Sequence, residues 1–246
     1  MNTDLHITVA PDRMVQEDLE THGYTRRPLH IDADVARALQ AMTASAWSLP
    51  RDEYFVHGDR FRRLTRLGVT VTSYGLSIGV LTDASHYYQP ATYNPELGGA
   101  VRKYQPHDPE LVQMPGLAKM IAHHIKSLPG SAPGTRYEVN FHVIRFFATP
   151  GRPGQTSPAG LHKDGEKYIA SHLLACCGVN GGEVVIADND KVEIDRFTLS
   201  QMGACYLIDD DEVWHMLTPV TVSPGSVIAF RDICLLDILP QTRSSN

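Results

Sequence analysis

From residue 135 onward the chain is a succession of short β-rich runs, at 137–147, 168–176, 183–187, 192–199, 204–208, 219–222 and 226–239. Turn-forming residues stand between them: Pro150-Gly151, Pro153-Gly154, Asn180-Gly181-Gly182, Asp188-Asn189-Asp190 and Pro224-Gly225. Many short strands with no helical period between them predict a sandwich or barrel.

The upstream part reads differently. Val35, Leu39, Met42 and Ala46 fall on one helical face behind an aspartate cap, and Pro50 ends the segment. Residues 69–74 alternate as a half-buried strand does. A second helix starts at Pro115, carries Leu117, Met120, Ile121, His124, Ile125 and Leu128 at helical spacing, and stops at Pro129-Gly130. No repeat and no linker interrupts the chain. The expectation is one domain over 1–246, with residues 1–135 forming a helical layer and supporting strands, and residues 136–240 a jelly-roll core.

Composition narrows the partners. The 246 residues are 42% hydrophobic and 20% charged, which excludes disorder and coiled coil. A formal charge of −6 argues against sequence-independent nucleic-acid binding. The start, Met1 to His6, lacks a basic stretch followed by an apolar one, and no run of apolar residues reaches membrane-spanning length. Cys176, Cys177, Cys205 and Cys234 form no C-x-x-C pair, so they read as thiols in a reducing, cytoplasmic setting.

Residues i and i+2 of a strand share a face, so a His-x-Asp triplet aims an imidazole and a carboxylate at one point. Twelve histidines and 18 aspartates in this length give about one such triplet by chance, and three occur. His30/Asp32 runs into the first helix, where the aspartate reads as a cap. His57/Asp59 is followed by Arg60, Arg62 and Arg63 and reads as a charged surface or loop salt bridge. His162/Asp164 alone lies among the C-terminal runs.

Downstream of it remain His172, which reads as a core histidine, and His215, placed to approach from an opposite sheet. Two histidines and one carboxylate leave open positions on a metal, as non-haem Fe(II) oxygenases require. The acidic run Asp209 to Glu212 reads as a solvated turn that can also supply an acceptor to the other nitrogen of His215. Arg231, in an otherwise apolar run, must be paired: with Asp232, with Asp237, or with a ligand carboxylate.

Read together, 157–165 (SPAGLHKDG), Ser171-His172-Leu173, Gly181-Gly182-Glu183, His215 with Thr218-Pro219, and Phe230-Arg231-Asp232 resemble the bacterial Fe(II)/2-oxoglutarate dioxygenases that hydroxylate amino acids. The patch 93–99 (YNPELGG) with Arg102 and Tyr104, and His142-Val143-Ile144-Arg145, add to the likeness, which spans roughly residues 55 to 238. The resemblance implies a double-stranded β-helix, the cupin-like jelly roll. It implies Fe(II) on His162, Asp164 and His215, and Arg231 as the clamp for the C5 carboxylate of 2-oxoglutarate.

With O2, such an enzyme attacks an unactivated C–H bond of a free amino acid or derivative while decarboxylating 2-oxoglutarate to succinate. Hydroxylation is the expected outcome, with desaturation or ring closure as alternatives, while Asp164 argues against halogenation. Tyr93, Asn94 and Arg145 are the candidate substrate contacts. Two other classes stand beside this reading: a non-catalytic cupin-like metal- or ligand-binding protein, and a zinc hydrolase for which Glu166 is the nearest base.

Overall fold

The structure, a computed structural model, describes residues 3–5, 9–56, 59–156 and 158–241. Its N-terminal part holds β1 (Thr3–Leu5), α1 (Arg13–His22), β2 (Tyr24–Thr25), α2 (Ala33–Ser45), β3 (Asp59–Thr72) and β4 (Gly75–Val80). There follow β5 (His86–Tyr87), β6 (Arg102–Lys103), α3 (Pro109–Val112), α4 (Pro115–Ser127), β7 (Arg136–Ala148) and β8 (Tyr168–Cys177). The chain then runs through β9 (Val179–Gly181), β10 (Val184–Ala187), β11 (Glu193–Phe197) and β12 (Cys205–Asp209). It closes with β13 (Trp214–Leu217), β14 (Val220–Val222) and β15 (Ala229–Gln241).

Eight strands form one antiparallel sheet in the order β1-β4-β3-β7-β15-β8-β12-β2. β11-β10-β13 and β14-β9 form smaller antiparallel sheets. The two largest apolar clusters outline the layers. One joins Val35, Leu39 and Met42 of α2 and Leu117, Met120 and Ile121 of α4 to Val139, Phe141, Leu236 and Ile238 on one face of the large sheet. The other gathers Ile169, Leu173, Tyr206 and Ile208 of that sheet with Val184, Ile186 and Phe197 of the small one. A mainly β chain with one large antiparallel sheet facing smaller ones fits a jelly roll.

The helix signals are met. Asp32 caps α2 by accepting from the backbone N–H of Asp34 and Val35, and Pro115 occupies the first turn of α4. The partition at residue 135 is not a boundary of the sheet, however. β3 pairs with β7 from Asp59↔Phe147 to Thr70↔Arg136, placing an upstream strand in the middle of the sheet. Only its second half was legible as alternation, because its first half carries Arg60, Arg62 and Arg63.

α2 and α4 meet closely at Gly116, where an added Cβ would lie 2.0 Å from the Asp34 carbonyl oxygen and 2.8 Å from the Ala38 side chain. Gly116→Ala is therefore expected to cost about 1–3 kcal/mol through overpacking. The thermal midpoint should fall by about 2–4 °C per kcal/mol. An unchanged midpoint in a thermal melt would mean that the helices do not approach in this way.

Candidate active site

Four side chains from three stretches of the chain meet in one cavity between the sheets. His162 and His215 form an isolated antiparallel bridge in which each backbone N–H donates to the other's carbonyl, at 2.9 and 3.0 Å. That pairing places their rings 4.4 Å apart, centroid to centroid. Asp164, two residues after His162, returns to the same point: its Oδ1 lies 3.7 Å from His162 Nε2 and its Oδ2 3.5 Å from His215 Nε2. One ligand atom from each of the three residues lies within 4.8 Å of the others.

Partners behind the triad orient it. His162 Nδ1 donates to the Gly160 carbonyl at 2.8 Å, which leaves Nε2 with the free lone pair. Asp210 Oδ1 is 3.6 Å from His215 Nδ1, and Asp210 Oδ2 accepts from Gly165 N–H at 2.8 Å. The acidic run thus places a carboxylate behind His215, just beyond hydrogen-bond reach: neither His215 Nδ1 nor Asp210 Oδ1 has a hydrogen-bond partner among the described residues. Gln89 Nε2 donates to Asp164 Oδ1 at 3.2 Å, and Gln89 Oε1 in turn accepts from Arg102 and Asn94.

The charges follow from burial and proximity. Burial opposes ionisation of Asp164, yet the His215 hydrogen bond and the two imidazoles outweigh it and hold the carboxyl well below its usual range. Burial pushes Asp210 up to about 6 against the pull of His215. His162 is pulled down by burial and by its histidine neighbour. Burial also works against protonation of His215, but Asp164 and Asp210 raise it. A carboxylate between two imidazoles that carry backing groups, with room left beside them, suits a metal that keeps open positions.

Arg231 lines the same cavity and is 1% exposed. The carboxylates proposed for it from sequence are taken elsewhere: Asp232 by Arg145, and Asp237 by His142 and Tyr87. Its Nη1 donates to the Leu199 carbonyl at 3.2 Å, and its Nε has no partner among the described residues. A buried guanidinium in that condition suits an incoming carboxylate.

Three expected substrate contacts are placed differently. Arg145 is not brought to the cavity; it forms two 2.7 Å hydrogen bonds to Asp232 and stacks on Trp47 and Phe230. The reason is parity: Ile144 and Phe146 line the cavity, so Arg145 points to the other face. Asn94 is buried and holds Gln89 rather than lining the cavity. Tyr93 covers Gly165, where an added Cβ would lie 2.5 Å from its ring. Glu166 does not line the cavity, which leaves the hydrolase reading without its base.

Arg60 and Arg62 correct the opposite way. They are buried cavity residues rather than surface charge. Asp59 does form the loop ion pairs expected of it, with Arg51 and Arg152, while His57 lies outside the described residues. His172 is a core histidine, 2.9 Å from His124 between Nε2 atoms. Gln89 carried no signal, since a lone glutamine in a loop has no period or motif to mark it.

Comparisons with known proteins bear on the family and the fold. The family model described as 2OG-Fe dioxygenase matches residues 43–237. A 3(1)-hydroxy-L-isoleucine 4-dioxygenase of Pantoea ananatis is 31% identical over 156 residues, 61% of this chain and 62% of that protein. An L-isoleucine-4-hydroxylase of Bacillus thuringiensis is 27% identical over 161 residues, 64% of this chain and 66% of that protein. The matched stretch thus spans less than two thirds of the length of either relative.

Among solved structures, a BsmA homologue from Methylobium petroleophilum has a TM-score of 0.76 at 24% identity, covering 96% of each chain. IDO from Bacillus thuringiensis has 0.73 at 21% identity, covering 92% of this chain and 97% of the other. These structures share the fold.

Anaerobic titration with Fe(II) should give one tight site, lost in His162→Ala, Asp164→Ala and His215→Ala. Asp210→Asn should weaken it by about 10- to 100-fold through the orientation of His215. His30→Ala should bind as the unaltered protein does. Full affinity in Asp164→Ala would remove the triad.

Proposed function

This chain belongs to the 2OG-Fe dioxygenase family, and we propose that it hydroxylates an unactivated C–H bond of a free aliphatic amino acid or a close derivative. The family uses Fe(II), 2-oxoglutarate and O2. The carrying observation is that His162, Asp164 and His215 share one cavity with Arg231, whose guanidinium is buried without a carboxylate partner among the described residues.

In this reading His162, Asp164 and His215 bind the iron and Arg231 receives the C5 carboxylate of 2-oxoglutarate. Bound iron, with 2-oxoglutarate and O2, supplies oxidation of the C–H bond coupled to release of CO2 and succinate. The protein's share is positional. Gln89 holds Asp164 against rotation, Asp210 backs His215, and Ile144, Phe146, Ile233 and Leu235 give the cavity an apolar wall that excludes water. The names of the two relatives make L-isoleucine and 3(1)-hydroxy-L-isoleucine the first amino acids to offer.

Incubation with Fe(II), 2-oxoglutarate, O2 and L-isoleucine, 3(1)-hydroxy-L-isoleucine, L-leucine or L-valine should form succinate together with a product heavier by one oxygen. A product lighter by two hydrogens would replace hydroxylation by desaturation or ring closure. No amino-acid-dependent succinate across the four would overturn the substrate class. Arg231→Met should raise the 2-oxoglutarate concentration required by about 10- to 100-fold, the loss expected for a charged hydrogen bond of about 1.5–3 kcal/mol. An unchanged requirement would return Arg231 to a purely structural role.

A further inference from the structure

Arg231 is not the only buried cation facing the cavity. Arg60, Arg62 and Arg102 line it too, and each is at least 95% buried. Their charge is incompletely matched. Asp52 is the single carboxylate within 4 Å of Arg60 and Arg62 among the described residues, at 2.7 and 3.9 Å, and Arg102 has none. Arg62 Nη2 is 2.6 Å from His142 Nδ1, and Arg102 Nη2 donates to Gln89 Oε1 at 2.6 Å; both partners are neutral acceptors. Arg62 Nε and Arg102 Nε are buried without a hydrogen-bond partner among the described residues. Three desolvated guanidiniums against one carboxylate are costly unless an anion joins them.

Aromatic faces hold these cations in place. Arg62 lies 4.4 Å from the Tyr104 ring centroid, Arg102 4.8 Å from that of Tyr87, and Arg60 4.2 Å from that of Phe55. The sheet register keeps them apart from Arg231. Arg60 on β3 and Arg231 on β15 are both paired with Phe146, one on each side of β7. Two strand spacings separate them by roughly 9–10 Å along the sheet. The carboxylate received by Arg231 therefore leaves the other guanidiniums unsatisfied.

Building on the reading of Arg231 above, we infer that Arg60, Arg62 and Arg102 form a second anion subsite, which receives the carboxylate of the amino-acid substrate. The cavity then holds the C5 carboxylate of 2-oxoglutarate and the carboxylate of the substrate at separate guanidiniums, on either side of Phe146 and Ile144. A substrate in which that carboxylate is converted to a neutral amide loses the charged partner while keeping its side chain. The arginines, rather than Arg145, select an acid.

The test is calorimetric titration of L-isoleucine, L-leucine and L-valine, and of their primary carboxamides, into the protein equilibrated anaerobically with Fe(II) and 2-oxoglutarate. At least one acid should bind at least 10-fold more tightly than its amide. Arg62→Gln and, independently, Arg102→Gln should remove that preference, with 2-oxoglutarate affinity in Arg62→Gln kept within about twofold. The acid-to-amide comparison needs no substitution, so it stands even where a variant fails to fold.

Equal binding of acid and amide, no binding by any of the three acids, or an Arg62→Gln protein that loses 2-oxoglutarate and keeps the amino acid would each overturn the subsite. The visible absorption of the iron–2-oxoglutarate chelate, recorded on the same samples, separates the two readings. Its absence alongside acid-selective binding would defeat the iron assignment and leave the subsite standing.

Discussion

The register of β7 against its two neighbours decides what faces what. β7 is buried on both sides, so its two-residue period distributes side chains between two cores rather than between core and water. Val139, Phe141 and Val143 meet the helices, while Ile144 and Phe146, of opposite parity, line the cavity. β3 and β15 follow the same register, so Arg60 and Arg231 arrive beside Phe146, and Arg62 and Ile233 beside Ile144. A slip of one residue would exchange the faces, sending the cavity arginines under the helices and Arg145 into the cavity. The long pairing of β7 with β15, from Ala229↔Ala148 to Gln241↔Arg136, opposes such a slip.

A strand set that buries both faces must also settle its charges inside. Arg145 and Asp232 do so pairwise, across β7 and β15, on the helix side of the sheet. On the cavity side the balance is uneven along the strands. His142 is buried and well below its usual range, so as a neutral ring it accepts from Arg62 at Nδ1 and donates to Asp237 at Nε2. Burial and the nearby Asp164 push the Asp237 carboxyl up, and burial and Asp237 push Glu166 up. Negative charge is therefore discouraged at that end except on Asp164, where the imidazoles favour it. The guanidiniums beside them cannot neutralise by losing a proton.

This asymmetry explains what the sequence showed and what it hid. His162, Asp164 and His215 were legible because spacing and chain order marked them as candidates and the family resemblance gave them a shared role. Arg231 was legible as a buried cation whose partner had to be found. Arg60 and Arg62 were not: following His57-Gly58-Asp59 and beside Arg63, they read as a charged surface or a loop salt bridge. The inference fails because β3 changes its buried face along its length. Arg60, Arg62 and Leu64 are buried toward one side, and Leu67, Val69 and Val71 toward the other. Arg145 failed for the complementary reason, since alternation along β7 was visible but which parity faced the cavity was not. Gln89 owes its position to a contact across 75 residues of chain, which no local pattern carries, whereas Asp210 was marked by its place in the acidic run just before His215.

The loop around β5 and β6 joins these pieces. Arg102 donates to Gln89, Asn94 donates to the same oxygen, and Gln89 donates to Asp164. The carboxylate of the triad and the guanidinium of the second subsite are thus two hydrogen bonds apart through one amide. A glutamine suits that position because it accepts from the cation at Oε1 and donates to the anion at Nε2, satisfying both without adding charge. A carboxylate there would neutralise Arg102 and repel Asp164, emptying the cavity of the cation that an acid requires. The upstream patch around Tyr93 and Asn94 therefore serves the site by holding this amide and covering Gly165, at one remove from any substrate.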